Sequence, residues 1–96
     1  KKLSEDDFLS VFNGVPQEEI SKDKLSSGLE IIEFSVNTAK AFSSNGEARR
    51  MIQNNGVSIN KERVGLVKKI DASDLIYNKY ILLQKGKKNY YLIIVG

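Results

Sequence analysis

Hydrophobic residues change their spacing at Asn54-Asn55-Gly56: helical before it, strand-like after it. Upstream, Leu29, Ile32, Val36 and Ala39 recur at i, i+3, i+7 and i+10, the period of an amphipathic helix. Ser44-Asn45-Gly46-Glu47 then supplies an S-x-x-E capping box directly before Ala48, Met51 and Ile52. A second helix of about three turns is therefore expected, ended by Asn54-Asn55-Gly56 with Gly56 in the left-handed position after the cap. Downstream, Val57-Ser58-Ile59 alternates, Asn60-Lys61 reads as a turn, and a partner strand falls near Arg63-Val64. Tyr80 to Leu83 and Asn89 to Val95 are strongly β-prone and flank Gln84-Lys85-Gly86-Lys87-Lys88, a glycine-bearing hairpin turn. The last strand is apolar on both faces, which puts it inside the sheet and under the helices. Residues 65–78 have no readable period. The expected class is α+β: two or three helices on one side of a small, mostly antiparallel sheet.

The front of the chain reads separately. Ser4-Glu5-Asp6-Asp7 before Phe8, Leu9, Val11 and Phe12 is a helix capped by Ser4, with acids in the first turn where the helix dipole favours them. Gly14-Val15-Pro16 closes it, residues 17–21 fit a short edge strand, and residues 22–28 form a polar connection. Two units are thus expected: residues 1–28, a linker-derived acidic helix and connection packed on the domain, and residues 29–96, the domain itself. Opening on Lys1-Lys2 without a methionine is what a piece of a longer protein would do.

With 96 residues, 41% hydrophobic and 28% charged, the chain has the make-up of one globular domain. Its longest apolar run, Tyr90 to Val95, is far short of the ~18 residues a membrane helix needs. No basic-then-apolar leader precedes the first helix. Cysteine and histidine are both absent, which excludes disulfides, thiolate metal sites, zinc fingers, and Ser-His-Asp or Cys-His catalysis. The carboxylate pairs Asp6-Asp7, Glu18-Glu19 and Asp71/Asp74 have no catalytic partner at diagnostic spacing, and no phosphate loop occurs. The expectation is a non-catalytic, cytoplasmic module without metal or cofactor. Its charge is uneven: residues 1–30 carry four lysines against seven acids, residues 31–96 eleven Lys/Arg against five. A basic field confined to one part of a small domain fits a polyanion partner, or else a solvated lysine-rich surface.

On the second helix, Arg49, Arg50, Gln53 and Asn54 share the face opposite Ala48, Met51 and Ile52. Two guanidiniums and two amides hydrogen-bond phosphate and sugar oxygens well, and the N-terminus capped by Ser44 offers backbone N–H groups to a phosphate. A polar, solvated helix face reads equally well from these residues alone.

The run Ser44 to Ile52, S-N-G-E-A-R-R-M-I, followed by Asn54-Asn55-Gly56-Val57-Ser58-Ile59-Asn60, resembles the alpha-L RNA-binding motif. That motif occurs in a small-subunit ribosomal protein, in pseudouridine synthases and in bacterial tyrosyl-tRNA synthetases. Arg49 and Arg50 fall on its paired arginines and Asn60 on its turn asparagine; Asn45 and Lys61 depart from its usual basic residue and turn glycine. The run Leu82 to Ile93, with G-K-K-N-Y at its centre, looks like the closing hairpin of tyrosyl-tRNA synthetases. Leu3 to Phe8, with Gly14-Val15-Pro16, resembles the segment that joins their anticodon-side domain to the C-terminal domain. The resemblance implies the C-terminal tRNA-binding domain of a bacterial-type tyrosyl-tRNA synthetase. Its ligand would be tRNA(Tyr), at the long variable arm and adjacent stem. The ATP and tyrosine chemistry would belong to catalytic and anticodon-side domains outside this chain.

On that reading Arg49, Arg50, Lys61, Lys85, Lys87 and Lys88 neutralise phosphates, with Gln53, Asn54 and Asn60 beside them. Lys85, Lys87 and Lys88 are expected to project together from the hairpin as a basic tip. Tyr80 and one of Tyr90 and Tyr91 are assigned to packing, since neighbouring strand residues point to opposite faces, and Lys68-Lys69 to solvent. Two rivals stand beside it: a free-standing alpha-L domain serving rRNA or an RNA-modifying enzyme, and a protein-interaction module using the apolar strand edge and the acidic helix.

Overall fold

Strands β6 (Tyr80–Lys85) and β7 (Asn89–Val95) are apolar on both faces, so neither can be buried without cover on two sides. They pair antiparallel from Tyr80↔Ile94 to Lys85↔Asn89 at the centre of the sheet. With β1 (Gln17–Ile20), β3 (Val57–Ile59) and β4 (Glu62–Arg63) they make five strands in the order β1-β7-β6-β3-β4. Every pairing is antiparallel except β1 with β7, which runs parallel from Gln17↔Leu92 to Ile20↔Val95. A separate two-stranded ribbon joins β2 (Leu29–Glu30) to β5 (Lys69–Ile70). This computed structural model describes residues 4–96; Lys1, Lys2 and Leu3, with the expectations resting on them, lie outside the described residues.

The helices take both faces rather than one. Helices α2 (Ile31–Glu33) and α3 (Asn45–Gln53) cover Ile81, Leu83, Ile93 and Val95, together with Val57 and Ile59. Helix α1 (Glu5–Val11) covers the other face, setting Phe8 and Phe12 on Tyr80, Leu82 and Leu92. Ser4 caps α1 by accepting the Asp7 N–H at 3.2 Å, and the Tyr80 hydroxyl donates to Glu5 Oε2 at 2.7 Å. The class is α+β, and the order α2, α3, then the β3–β4 hairpin is compatible with an alpha-L motif.

Three local expectations change. Leu29 and Glu30 are strand, and the helix begins only at Ile31. It then widens into a π-helical turn, Phe34–Thr38, closed by the Ala39 N–H on the Phe34 carbonyl at 2.8 Å. Starting at Ile31, the helix buries Ile31, Phe34 and Ser35 and leaves Ile32 and Val36 half-buried, and the wider turn brings Ala39 in place of Thr38 to the buried side. The polar connection after β1 contains a 3-10 turn, Lys22–Leu25, that buries Leu25. Residues 65–78 contain β5 and a second 3-10 turn, Ala72–Asp74, capped by Asp71. There Lys68 is half-buried and ion-paired, its ammonium 2.8 Å from Asp74 Oδ1, while Lys69 is exposed. No helix among the described residues is long and apolar enough to cross a membrane.

Candidate nucleic-acid interface

Helix α3 is held at its start by three short contacts. Ser44 Oγ accepts the Glu47 N–H at 3.2 Å, while Glu47 Oε1 accepts both the N–H and the hydroxyl of Ser43 at 3.1 Å. The reciprocal half of the expected box therefore lands one residue before the cap. The Ser43 backbone bond, then its hydroxyl, with smaller help from Lys85 and Arg50, holds the Glu47 carboxyl below the ordinary carboxylate range. That carboxylate already occupies the positive end of the helix, and the Ser44 hydroxyl is already engaged. Ser44→Ala should cost about 1 kcal/mol in urea unfolding. The contribution of Glu47 has the sign of a depressed acid: present above its unfolded pKa, lost as pH falls through the lower folded one. Glu47→Gln should flatten that part of the acid limb, and an unchanged limb would show that these contacts carry no stability.

The helix ends in a Schellman turn. Asn54 is the cap, Asn55 takes φ +60°, and the Gly56 and Asn55 N–H groups reach the Met51 and Ile52 carbonyls at 2.8 and 3.0 Å. The left-handed position thus belongs to Asn55, a residue that tolerates it, and not to Gly56. Gly56 is needed for space, since a Cβ there would lie 3.0 Å from both the side chain and the carbonyl of Met51. Its carbonyl accepts the Gly86 N–H at 2.7 Å, which ties the end of α3 to the β6–β7 turn. Gly86 has φ +72°, as a tight turn between twisted strands requires.

That bond, continuing the β3–β6 pairing past Val57↔Lys85, brings two stretches of chain together. Arg49, Arg50, Gln53 and Asn54 stand exposed along α3, and Lys87 and Lys88 stand exposed in the adjoining turn. Among the described residues the ion pairs are Lys40–Glu18 at 3.6 Å and Lys68–Asp74 at 2.8 Å, so none of these four cations is held in one. Lys61 reaches across the sheet to the Tyr90 hydroxyl at 3.1 Å, with its ammonium 5.0 Å from the ring centre.

Two candidates are engaged elsewhere. Lys85 does not project with Lys87 and Lys88. It is the last residue of β6, and its ammonium donates to the Ala41 carbonyl at 2.9 Å, 4.6 Å over the Phe42 ring. A buried-side strand position with an open carbonyl within reach outcompetes solvent. Asn60 spends its amide inside the fold: Oδ1 accepts the Leu82 N–H at 2.9 Å and Nδ2 donates to the Asp74 carbonyl. The lysines should consequently separate. Lys87→Gln with Lys88→Gln should lower the magnitude of the salt slope of RNA binding by about 1.4–1.8 without touching stability. Lys85→Gln should leave the slope alone and cost about 1.5 kcal/mol, the low end for a hydrogen bond to a charged group. The opposite pattern would return Lys85 to the basic tip.

Arg63, which alternation reads only as strand, stands exposed on β4 and outside every ion pair among the described residues. Its face is set by pairing with Ser58, the register that the two-residue Asn60-Lys61 turn imposes. Among the described residues no group of three or more acidic side chains is placed to hold a metal ion.

The family model described as "Tyrosine--tRNA ligase SYY-like C-terminal domain" matches residues 7–93. A tyrosine–tRNA ligase of Bacteroides fragilis is 50% identical over 95 residues, which is 98% of this chain and 22% of that protein. The tyrosine–tRNA ligases of Flavobacterium johnsoniae and Bacteroides thetaiotaomicron are 48% and 47% identical over 95 residues, again 22% of their own length. The chain thus spans 22% of the length of the curated relatives it matches.

Proposed function

We propose that this chain, which belongs to the family of tyrosine–tRNA ligase C-terminal domains, binds tRNA for a tyrosine–tRNA ligase whose catalytic part lies outside these residues. The observation that carries the reading is the junction of α3 with the β6–β7 turn, made by the Gly86 N–H on the Gly56 carbonyl. It joins the end of the helix bearing Arg49 and Arg50 to the turn bearing Lys87 and Lys88, four exposed cations outside any ion pair among the described residues. Gln53 and Asn54 add neutral hydrogen-bonding groups on the same helix face. The RNA met by this ridge is the variable arm of tRNA(Tyr) and its adjacent stem, engaged through backbone and shape because the major groove of an A-form stem admits no side chains. Residues 1–28, on this reading, derive from the connection to a preceding domain. The parent enzyme acts in the cytoplasm, with ATP and tyrosine handled by its other domains.

The test is a salt titration of binding to tRNA(Tyr), with and without its variable arm. If Arg49, Arg50, Lys87 and Lys88 of the ridge each meet a phosphate, log K against log[salt] should fall with a slope at least as steep as about −2.8 to −3.6. A slope near zero removes the mechanism. Equal affinity for the tRNA lacking its arm keeps RNA binding but moves the contact elsewhere.

A further inference from the structure

We propose that the sheet face bearing Tyr90, past the end of α1, is a second RNA surface that takes the ribose–phosphate backbone of an A-form stem. The register sets Tyr90 opposite Gln84, Gln84 opposite Ser58, and Ser58 opposite Arg63. Directly opposed residues in antiparallel strands share a face, so four adjacent strands each place one polar side chain in a single row. At the usual strand spacing the row is about 14 Å long. It lies on the face where Leu82 and Leu92 receive α1, across the sheet from α3. Helix α1 covers that face only as far as Phe12, whose ring sits 5.1 Å from that of Tyr90. Beyond it Arg63 is exposed, and Ser58, Gln84 and Tyr90 are half-buried.

The charge on this strip is one-sided. Lys61 lies on it, bonded to the Tyr90 hydroxyl, and neither Lys61 nor Arg63 has an ion-pair partner among the described residues. Glu62 is paired with Ile59 and therefore points to the other face. The acids that open α1 sit at its far end, where Glu5 takes the Tyr80 hydroxyl, four residues along β6 from Gln84. Two cations outside any ion pair among the described residues complement a polyanion.

The neutral groups narrow the ligand further. Tyr90 accepts from Lys61 and keeps its own proton to donate; Gln84 donates to the Lys87 carbonyl at 3.2 Å and keeps its side-chain carbonyl to accept. Ser58 has no hydrogen-bond partner for its hydroxyl among the described residues. Such groups suit the ribose 2′-hydroxyl, both donor and acceptor, which a wide, shallow minor groove displays. Stacking of a base on Tyr90 is blocked, because Phe12 and the Lys61 ammonium both crowd its ring. The strip therefore meets backbone and ribose. The Gly86–Lys88 turn lies at the tip between this face and the α3 ridge, so the domain wedges between two stretches of RNA.

This inference rests on the RNA-binding reading above, and the experiment separates the two. The 96-residue chain is titrated with tRNA(Tyr), and with the same RNA carrying 2′-fluoro groups in the stem. Fluorine keeps the A-form and every phosphate but removes the hydroxyl donor. Arg63→Gln should lower the magnitude of the salt slope by about 0.7–0.9, with unchanged melting, and Arg63→Lys should restore it. The 2′-fluoro RNA should bind the unmodified chain about fivefold more weakly for each neutral hydrogen bond lost, and that penalty should shrink in Ser58→Ala with Gln84→Ala. No binding of tRNA(Tyr) by the unmodified chain overturns both readings. Binding that depends on Arg49 and Arg50, with the Arg63→Gln slope and the 2′-fluoro affinity unchanged, overturns the sheet surface alone.

Discussion

Arg49→Ala combined with Arg50→Ala is expected to weaken tRNA binding about 100-fold near physiological salt while the domain stays folded. A hydrogen bond to a charged group is worth about 1.5–3 kcal/mol. Both guanidiniums are exposed, so the low end applies, and two such contacts sum to about 3 kcal/mol, or two decades of affinity. The salt slope should fall in magnitude by about 1.4–1.8 at the same time, because two phosphates lose their counter-charge. Stability should move by no more than about 0.5 kcal/mol per site, as is usual for exposed positions. The apolar side of α3, with Ala48 and Ile52 buried, is untouched by either substitution. Binding by filter retention and urea unfolding on the same preparations decide the matter. A double variant that unfolds would make the arginines structural; one that binds normally would leave the ridge without a function.

Asn60→Ala should do the reverse: destabilise the fold by about 3 kcal/mol and leave the affinity of the folded fraction unchanged. Three costs combine. The Leu82 N–H, on a buried strand residue, loses its acceptor, and an orphaned buried donor costs about 1–3 kcal/mol. The Asp74 carbonyl loses its donor, which loosens the 3-10 turn that Asp71 caps. Asn60 also holds φ +52° in the two-residue β3–β4 turn, a conformation that asparagine tolerates and alanine resists by about 1 kcal/mol. Asn60→Gly removes only the last cost and should recover about 1 kcal/mol of the loss. If Asn60→Ala instead melts normally and binds RNA poorly, the amide belongs to the interface and not to the turn.

How much of this was legible depends on how far each residue's partner lies along the chain. Ser4 and Ser44 were readable as caps because the N–H each accepts is three residues away, in Asp7 and Glu47. The β3–β4 and β6–β7 hairpins were readable because alternation and turn residues are local signals. The stripe on α2 was misplaced at its start because Leu29 belongs to β2, paired with distant β5, and at its end because a π-helical turn has no signature in residue type. Residues 65–78 defeated the pattern because β5 is two residues long and pairs with β2, some forty residues earlier.

The site divides along the same line. Residue types and spacing alone were enough to put Arg49, Arg50, Gln53 and Asn54 on one helix face, and to put Gly86 in a hairpin turn. Lys85, Lys87 and Lys88 look equivalent in sequence, and only the approach of Ala41 and Phe42, more than forty residues earlier, takes Lys85 out of the group. Asn60 likewise looked like a turn residue facing a ligand until Leu82 and Asp74 closed on its amide. The Tyr90–Gln84–Ser58–Arg63 row exists only through strand register, and a one-residue slip would send each of its members to the other face. Caps, turns and periods are written within a few residues because each is one short-range contact. Which lysine stays free, and which face of a strand meets solvent, follows from competition among groups that are neighbours only after the chain has folded.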